Sequence, residues 1–314
     1  MCREPKPYSL PDGPPDGPPK GRDMQDEGLL HQFQAIVGDA GGKVGISLLQ
    51  LEKGAGMSVN GARHFAMQSV FKVPLAMFIP DGVDHGRFSL GQKLPIGKTD
   101  WVENTWSPMR DRYEGRATDI ALEELLRFSV SRSDNIACDL LFRLAGGTQP
   151  VNAYVHALGV KDLVIAATEA QMRSAWDVQY KNWSTPDAMA VLFRMIYEGH
   201  HLSKASTRLL LKLMTETTTG PGRIKGLLPP GTPVSHKTGS SDTNREGVTA
   251  ATNDAGIITL PDGSHLILVV FLGDAKAPDS TRDGVIARIA KAAFDHYSRA
   301  GAAPVSKIPR RNPP

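Results

Sequence analysis

Leu29, Phe33, Ile36 and Val37 recur at helical spacing and stop at Gly38, which predicts an amphipathic helix at the start of the folded chain. Val44 to Leu51 is a short apolar run of strand length. From Ser69 to about Glu216 the patterns are mainly helical. Ile136, Leu140, Leu141 and Leu144 mark one helix, ended by Gly146-Gly147. Thr185-Pro186 reads as an N-cap and a helix-starting proline, with Met189, Phe193 and Ile196 on one face after it. After Gly231 the period turns to that of strands. Ile257–Leu260 and His265–Leu272 flank the turn Pro261-Asp262-Gly263-Ser264, and Val285, Ile286, Ile289 and Phe294 predict a closing helix. This order predicts an α/β fold in which a helical domain, 67–219, is inserted into a discontinuous sheet domain, 24–66 and 220–300.

The ends differ from this middle. Seven of the 23 prolines fall in residues 1–23, with the repeat Pro11-Asp12-Gly13-Pro14 and Pro15-Asp16-Gly17-Pro18, which predicts an extended tether. Residues 301–314 read as a flexible tail whose Arg310 and Arg311 are solvated. Cys2 heading a proline-rich tether suits a lipid-anchored exported protein. Met1-Cys2-Arg3-Glu4-Pro5 leads into no apolar signal region. The readings are therefore a cytosolic protein, or an exported one without its signal.

Composition narrows the function classes. With 314 residues, 40% apolar and 22% charged, the chain is ordinary globular material and no fibre or coiled coil. Thirty-six basic against 33 acidic residues leave a net charge of +3, too little to argue for nucleic acid or an anionic membrane. Two cysteines exclude a disulfide scaffold. The longest clean apolar stretch, Leu266–Leu272, is far too short to span a bilayer.

Several tempting motifs fail on spacing. Gly97-Lys98-Thr99 lacks a glycine at position 92 and has Pro95 inside the would-be phosphate loop, so a surface turn is expected. His200-His201 reads as a helix end without metal-ligand spacing, and Cys138 as a small core residue. What remains is an ordered triplet: Ser69-Val70-Phe71-Lys72, Ser133-Asp134-Asn135 and Lys237-Thr238-Gly239. A serine hydroxyl needs a base, and a spacing of three puts Lys72 one helical turn from Ser69. Pro74 requires that turn to be the first of its helix, where free N–H groups favour an oxyanion. Lys72 can act as the base only if neutral. Burial and the second cation, Lys237, are expected to push it that way. Ser133 can relay a proton to a leaving nitrogen and Asn135 can hold a ligand amide carbonyl. Thr238 and Ser240 can bind a carboxylate, and the Ser240 N–H can complete an oxyanion hole.

The triplet is shared by serine β-lactamases and penicillin-binding proteins. From about Leu29 to Ser298 the chain resembles the class A β-lactamases. It is most similar to the PER-type subgroup through Thr105–Met109, Ser131–Asn135, Glu169–Met172, Val178–Trp183 and Ala251–Asp254. The resemblance implies a β-lactamase/transpeptidase-like antiparallel sheet flanked by N- and C-terminal helices, with an inserted all-α domain. It implies hydrolysis of the β-lactam amide of penicillins and cephalosporins through an acyl-serine, with no metal and no cofactor. By it, Ser69 is the nucleophile, Lys72 the acylation base or its helper, and Glu169 the activator of the deacylating water from an Ω-loop. Trp106 lines the pocket mouth and Arg223 reaches the substrate carboxylate. Without the resemblance, Trp106 reads as core and Arg223 as a solvated loop charge. Gly239 completes the binding strand with Thr238 and Ser240. The implied partner is a small-molecule β-lactam, the implied state a monomer, and the implied location the periplasm.

Two departures from the class stand out. Arg173 replaces the asparagine that helps hold the hydrolytic water, and could neutralise Glu169 or crowd that water. Ala167 and Asn182 replace the ion pair that staples the Ω-loop, which predicts a differently folded loop and a wider, extended-spectrum cavity. The rival readings are a DD-peptidase, which lacks a water-activating glutamate, and a sensor domain that stays acylated.

Overall fold

Alternation of side chains along the C-terminal strands decides how the layers stack. The computed structural model describes residues 24–300; the proline-rich segment, Cys2 and the tail lie outside them. In chain order the elements are α1 (Met24–Val37), β1 (Lys43–Gln50), β2 (Ala55–Val59), β3 (Phe65–Ala66), α2 (Lys72–Asp84), β4 (Lys93–Ile96), α3 (Pro108–Tyr113), β5 (Thr118–Ala121), α4 (Leu122–Ser131) and α5 (Asn135–Ala145). There follow α6 (Thr148–Ala157), β6 (Leu163–Val164), α7 (Glu169–Met172), β7 (Trp183–Ser184), α8 (Pro186–Glu198), α9 (Lys204–Thr215), β8 (Val234–Ser240), β9 (Thr249–Thr259), β10 (His265–Ala275) and α10 (Asp279–Ala300).

Five strands form one antiparallel sheet in the order β2-β1-β10-β9-β8, so β8 is an edge. Along β10, Leu266, Leu268, Val270 and Leu272 pack with Leu29, Phe33, Val285 and Ile289 of α1 and α10. The residues between them, Ile267, Val269 and Phe271, pack with the helical part of the chain. Period-2 alternation thus gives the sheet two apolar faces, each covered by helices. The helical core centres on α2, where Phe71 and Phe142 stack with centroids 5.5 Å apart. Pro74 sits in the first turn of α2, where its missing N–H costs nothing, whereas Pro80 lies inside the helix.

Most sequence-predicted elements appear within a residue or two. The helix caps do so through named bonds: Thr185 accepts from the Ala188 N–H and Gly146 adopts φ +84°. α8 ends at Glu198 with Gly199 left-handed, and the two histidines follow it. Gly97-Lys98-Thr99 lies in an exposed turn, as expected, closed by the Gly97 N–H to Asp100, although the residues before it form β4 and pair with β5. One expectation needs correction. β9 reaches back to Thr249, eight residues before the expected start at Ile257. Its first half is polar in sequence yet buried, and the reason is found in the site. Among the described residues no helix is long and apolar enough to cross a membrane.

Candidate active site

Ser69 lies in a tight turn, Gln68–Phe71, that runs directly into α2. Gln68 is left-handed, with φ +46°, a conformation non-glycine residues rarely adopt. Its side chain compensates by donating to Gln179 Oε1 at 2.6 Å. The residue before it is fixed from two sides. The Met67 N–H donates to the Asn182 carbonyl, and Asn253 Nδ2 donates to the carbonyls of Ala66 and Met67. That is why the polar half of β9 is buried: Asn253 is fully enclosed, and every bond its side chain makes is to backbone of other elements. At Gly239 a Cβ would come within 2.4 Å of the Met67 carbonyl, so only glycine lets β8 approach the Ser69 turn this closely.

One helical turn on, Lys72 is fully buried and surrounded by oxygens. Its Nζ lies 2.8 Å from the Ser133 carbonyl, 2.7 Å from Asn135 Oδ1 and 2.9 Å from Glu169 Oε1. Ser69 Oγ lies 3.4 Å from the same Glu169 oxygen. Three acceptors, one of them a carboxylate, form a setting for an ammonium. Lys237 is the second fully buried lysine of the site. Its Nζ donates to Ser133 Oγ at 2.8 Å and to the Thr238 carbonyl, both neutral acceptors. Complete burial, and then the charge of Lys72, hold its ammonium well below the usual lysine range. Ser133 carries φ +56°, which brings its carbonyl to one lysine and its hydroxyl to the other. Asp134 caps α5 through the Ala137 N–H and also accepts from Met109 N–H and Ser107 Oγ. Burial still pushes this carboxyl up.

Glu169 opens the four-residue α7, capped by Thr168. Asp139, one helical turn past Asn135, accepts the N–H groups of both Glu169 and Ala170 at 2.8 and 2.9 Å. Burial, with the Glu169 charge adding to it, pushes the Asp139 carboxyl up to about 6. The ion-pair staple is absent, as the sequence suggests, but the loop neck is closed by other means. β6, β7 and β3 pair across it, and Asn182 Oδ1 accepts from the Ala166 and Ala167 N–H groups while its Nδ2 donates to the Ala167 carbonyl. Arg173 does not pair with Glu169: its guanidinium reaches the Glu103 carbonyl at 3.4 Å, and the glutamate faces Lys72.

The binding strand borders a cleft of about 510 Å³ lined by Ser69, Trp106, Asn135, Glu169, Arg173 and Ser240. Trp106 is 60% exposed, its ring N–H tied to the Arg132 carbonyl, so it is mouth and not core. Ser241 N–H donates to the Ala251 carbonyl, and alternation along an antiparallel edge therefore turns the Ser240 N–H away from β9. Thr238 Oγ1 bonds Thr219 Oγ1. Arg223 is only 8% exposed, which corrects the solvated-charge expectation. Its Nε donates to Asp283, its Nη1 to the Gly239 and Asn253 carbonyls, and its Nη2 to Ser240 Oγ. Cys138 is fully buried, and burial pushes its thiol up. Among the described residues no group of three or more His, Cys, Asp or Glu is arranged to hold a metal.

Sequence reasoning missed Asp139, Asn253, the Gln68–Gln179 bond and the buried pair His236–Asp254. Only Asp139 had a local signal, its spacing of four from Asn135 on the same helix.

A hydroxyl, two buried lysines and a carboxylate converge between a helical layer and an edge strand. The model of the beta-lactamase enzyme family matches residues 29–297, and the chain belongs to that family. It is 41% identical over 266 residues to the extended-spectrum beta-lactamase PER-1 of Pseudomonas aeruginosa, covering 85% of this chain and 86% of that protein. It is 38% identical to the beta-lactamase VEB-1 of the same organism, over 88% of this chain and 92% of that one. Among solved structures, a beta-lactamase from Chitinophaga pinensis DSM 2588 is 51% identical, with a TM-score of 0.85 over 86% of this chain and 99% of that one. A class A beta-lactamase from Bacteroides cellulosilyticus DSM 14838 is 33% identical, with a TM-score of 0.84 over 88% and 100%. The protein is a class A serine β-lactamase.

Proposed function

We propose that Ser69 is the nucleophile, and that the observation carrying this is the shared contact of Ser69 Oγ and Lys72 Nζ with one Glu169 oxygen. Ser69 Oγ attacks the lactam carbonyl carbon. Its proton passes to Glu169, and Lys72, held as an ammonium, steadies the carboxylate. The N–H groups of Ser69 and Ser240 take the oxyanion, consistent with the outward turn of the Ser240 N–H. As the tetrahedral centre collapses, the C–N bond breaks and the nitrogen takes the proton that Glu169 received, relayed through Lys72 and the Ser133 hydroxyl, so that Glu169 is a carboxylate again; Lys237 fixes that hydroxyl. Glu169 then removes a proton from a water that attacks the acyl ester. Glu169 returns that proton to Ser69 Oγ, which leaves as the alcohol, and the opened product carries a new carboxylate.

Asn135 holds the side-chain amide of the substrate, and Trp106 stacks on it at the mouth. Thr238, Gly239, Ser240 and Arg223 form the anion-binding end, where Lys237 adds positive field. Three of the four donor positions of Arg223 that the fold engages go to β8 and β9, so it shapes this end as well as charging it. The cleft volume and the relatives described as extended-spectrum enzymes support activity on bulky cephalosporins. The helical part, 67–219, and the sheet part, 24–66 with 220–300, are read as two domains meeting at this cleft. Action outside the cytoplasm as a monomer completes the reading. Cell fractionation and light scattering check those last two points.

Steady-state turnover of nitrocefin tests the whole. Continuous hydrolysis supports it, while one stoichiometric burst without turnover would leave an acylated sensor. Intact-mass measurement on Ser69→Ala tests the nucleophile, and an acyl adduct on that variant would refute it.

A further inference from the structure

Behind the binding strand lies a buried His–Asp pair that none of the steps above uses. His236 and Asp254 are both fully buried, on adjacent strands β8 and β9. His236 Nδ1 lies 2.8 and 3.1 Å from the two Asp254 oxygens. The other ring nitrogen, Nε2, is buried and has no hydrogen-bond partner among the described residues. Asp254 Oδ2 also accepts the Ile224 N–H at 3.1 Å. Ile224 follows Arg223 directly and opens the short helical turn Ile224–Leu227. The backbone of Asp254 stands opposite Thr238, and that of Ala255 opposite Lys237.

We propose that the Asp254–His236 pair is a positioning device for the anion-binding end: it anchors the segment carrying Arg223 and sets a buried negative charge behind Lys237. The inference rests on the reading above that Lys237 and Arg223 serve the substrate carboxylate.

The protonation state follows from the geometry. A doubly protonated ring would leave the Nε2–H stranded in a dry site, at the full cost of an unmade charged hydrogen bond. The ring is therefore neutral, with its proton on Nδ1 donated to Asp254. The pair then keeps a full negative charge. The groups facing Lys237 are Lys72 from α2, Glu169 from α7, Cys138 from α5 and Asp254 from β9. Lys72 and Glu169 face each other as an ion pair, so Asp254 is the carboxylate left to balance the second lysine. The groups facing Asp254 are His236, Lys237 and Lys225, whose ammonium it also favours.

The anchor acts through backbone. Asp254 holds the Ile224 N–H, while Arg223 bonds the carbonyl of the neighbouring Asn253. Two adjacent residues of β9 thereby set where the guanidinium meets Ser240.

Asp254→Asn tests the charge, since the amide keeps the shape and an acceptor for Ile224. The substrates are a cephalosporin with its free carboxylate and the methyl ester of the same compound. The expected result is a KM raised about tenfold for the acid, with kcat and the ester's KM within about twofold. Loss of the charge also moves the alkaline limb of kcat/KM down by about one pH unit, the equivalent of that tenfold. Arg223→Ala is measured alongside. If Arg223→Ala separates acid from ester and Asp254→Asn does not, the role of the pair is overturned. If neither separates them, it is the assignment of Arg223 that fails. Should Asp254→Asn not fold, nitrogen-15 NMR of the parent protein decides. A neutral His236 ring protonated on Nδ1 at pH 7 upholds the pair's charge, and an imidazolium there overturns it.

Discussion

The two walls of the cleft use the same side chain in opposite ways. On the loop wall, Lys72 is met by a carboxylate and two further oxygens, and its charge is balanced in place. On the strand wall, Lys237 is equally buried but donates only to neutral oxygens, and its ammonium is held well below its usual range. A balanced pair suits a group that hands a proton back and forth within the wall. A cation with no carboxylate among its hydrogen-bond acceptors suits a group whose partner arrives with the substrate. The difference teaches that burial alone does not assign a role to a lysine; the charge of its acceptors does.

The sharpest way to break this division is to remove one wall's working group at a time. Glu169→Ala, on the loop wall, is expected to slow deacylation by about 10²–10⁴-fold, the usual loss for a positioned base. Intact-mass measurement then shows accumulated acyl-enzyme, whether or not the substrate carries a carboxylate. A variant that deacylates like the parent would remove Glu169 from the wall.

Next in size is Asn182→Ala at the loop neck. It leaves the N–H groups of Ala166 and Ala167 and the Ala167 carbonyl without their partner. The expected cost is about 3 kcal/mol of stability, read by denaturant unfolding. The larger loss should be in acyl-enzyme hydrolysis, with binding on the strand wall unchanged. An unaltered amide-exchange rate at Glu169 would show that the neck does not hold the loop.

Arg223→Ala sharpens the comparison from the other side. One charged hydrogen bond is worth about 1.5–3 kcal/mol, so KM for a carboxylate substrate should rise about tenfold to a hundredfold. A substrate lacking the carboxylate should be spared, and an equal effect on both would place Arg223 in a purely architectural role.

The smallest expected effect is on Asp139, which supports the loop wall from below. Its folded-state value is raised above that of an unfolded aspartate, so the stability it contributes is present below about 4 and lost as pH rises through about 6. At pH 8 the ionised, buried carboxylate is therefore a burden. Asp139→Asn removes the charge but keeps one of two acceptors, for a net gain of about 1 kcal/mol at pH 8. The gain should shrink as pH falls through 6. Melting temperatures of both proteins from pH 5 to 8 check the sign, and a gain that grows toward acid would reverse it.

Local rules carried the sequence reading as far as local causes reach. Ser69 and Lys72 are three apart on one turn, and the amphipathic helices and their caps declare themselves within a few residues. β10 alternates visibly because its two faces meet two separate cores. What stayed hidden depends on partners far along the chain. Asn253 has no local signal, because its acceptors are on Ala66 and Met67, nearly 190 positions away. Arg223 looks solvated until β8, β9 and Asp283 of α10 close over it. The left-handed backbone at Gln68 and Ser133 has no glycine to announce it, because side-chain bonds from other elements hold it there. No hydrophobic period encodes such long-range satisfaction of polar groups.

The amide that fastens the Ω-loop has a further meaning. A bridge of opposite charges loosens in brine and fails when acid protonates its carboxylate, whereas Asn182 neither titrates nor attracts counter-ions. The mouth of this enzyme should keep one shape across surroundings that would unfasten an ionic latch.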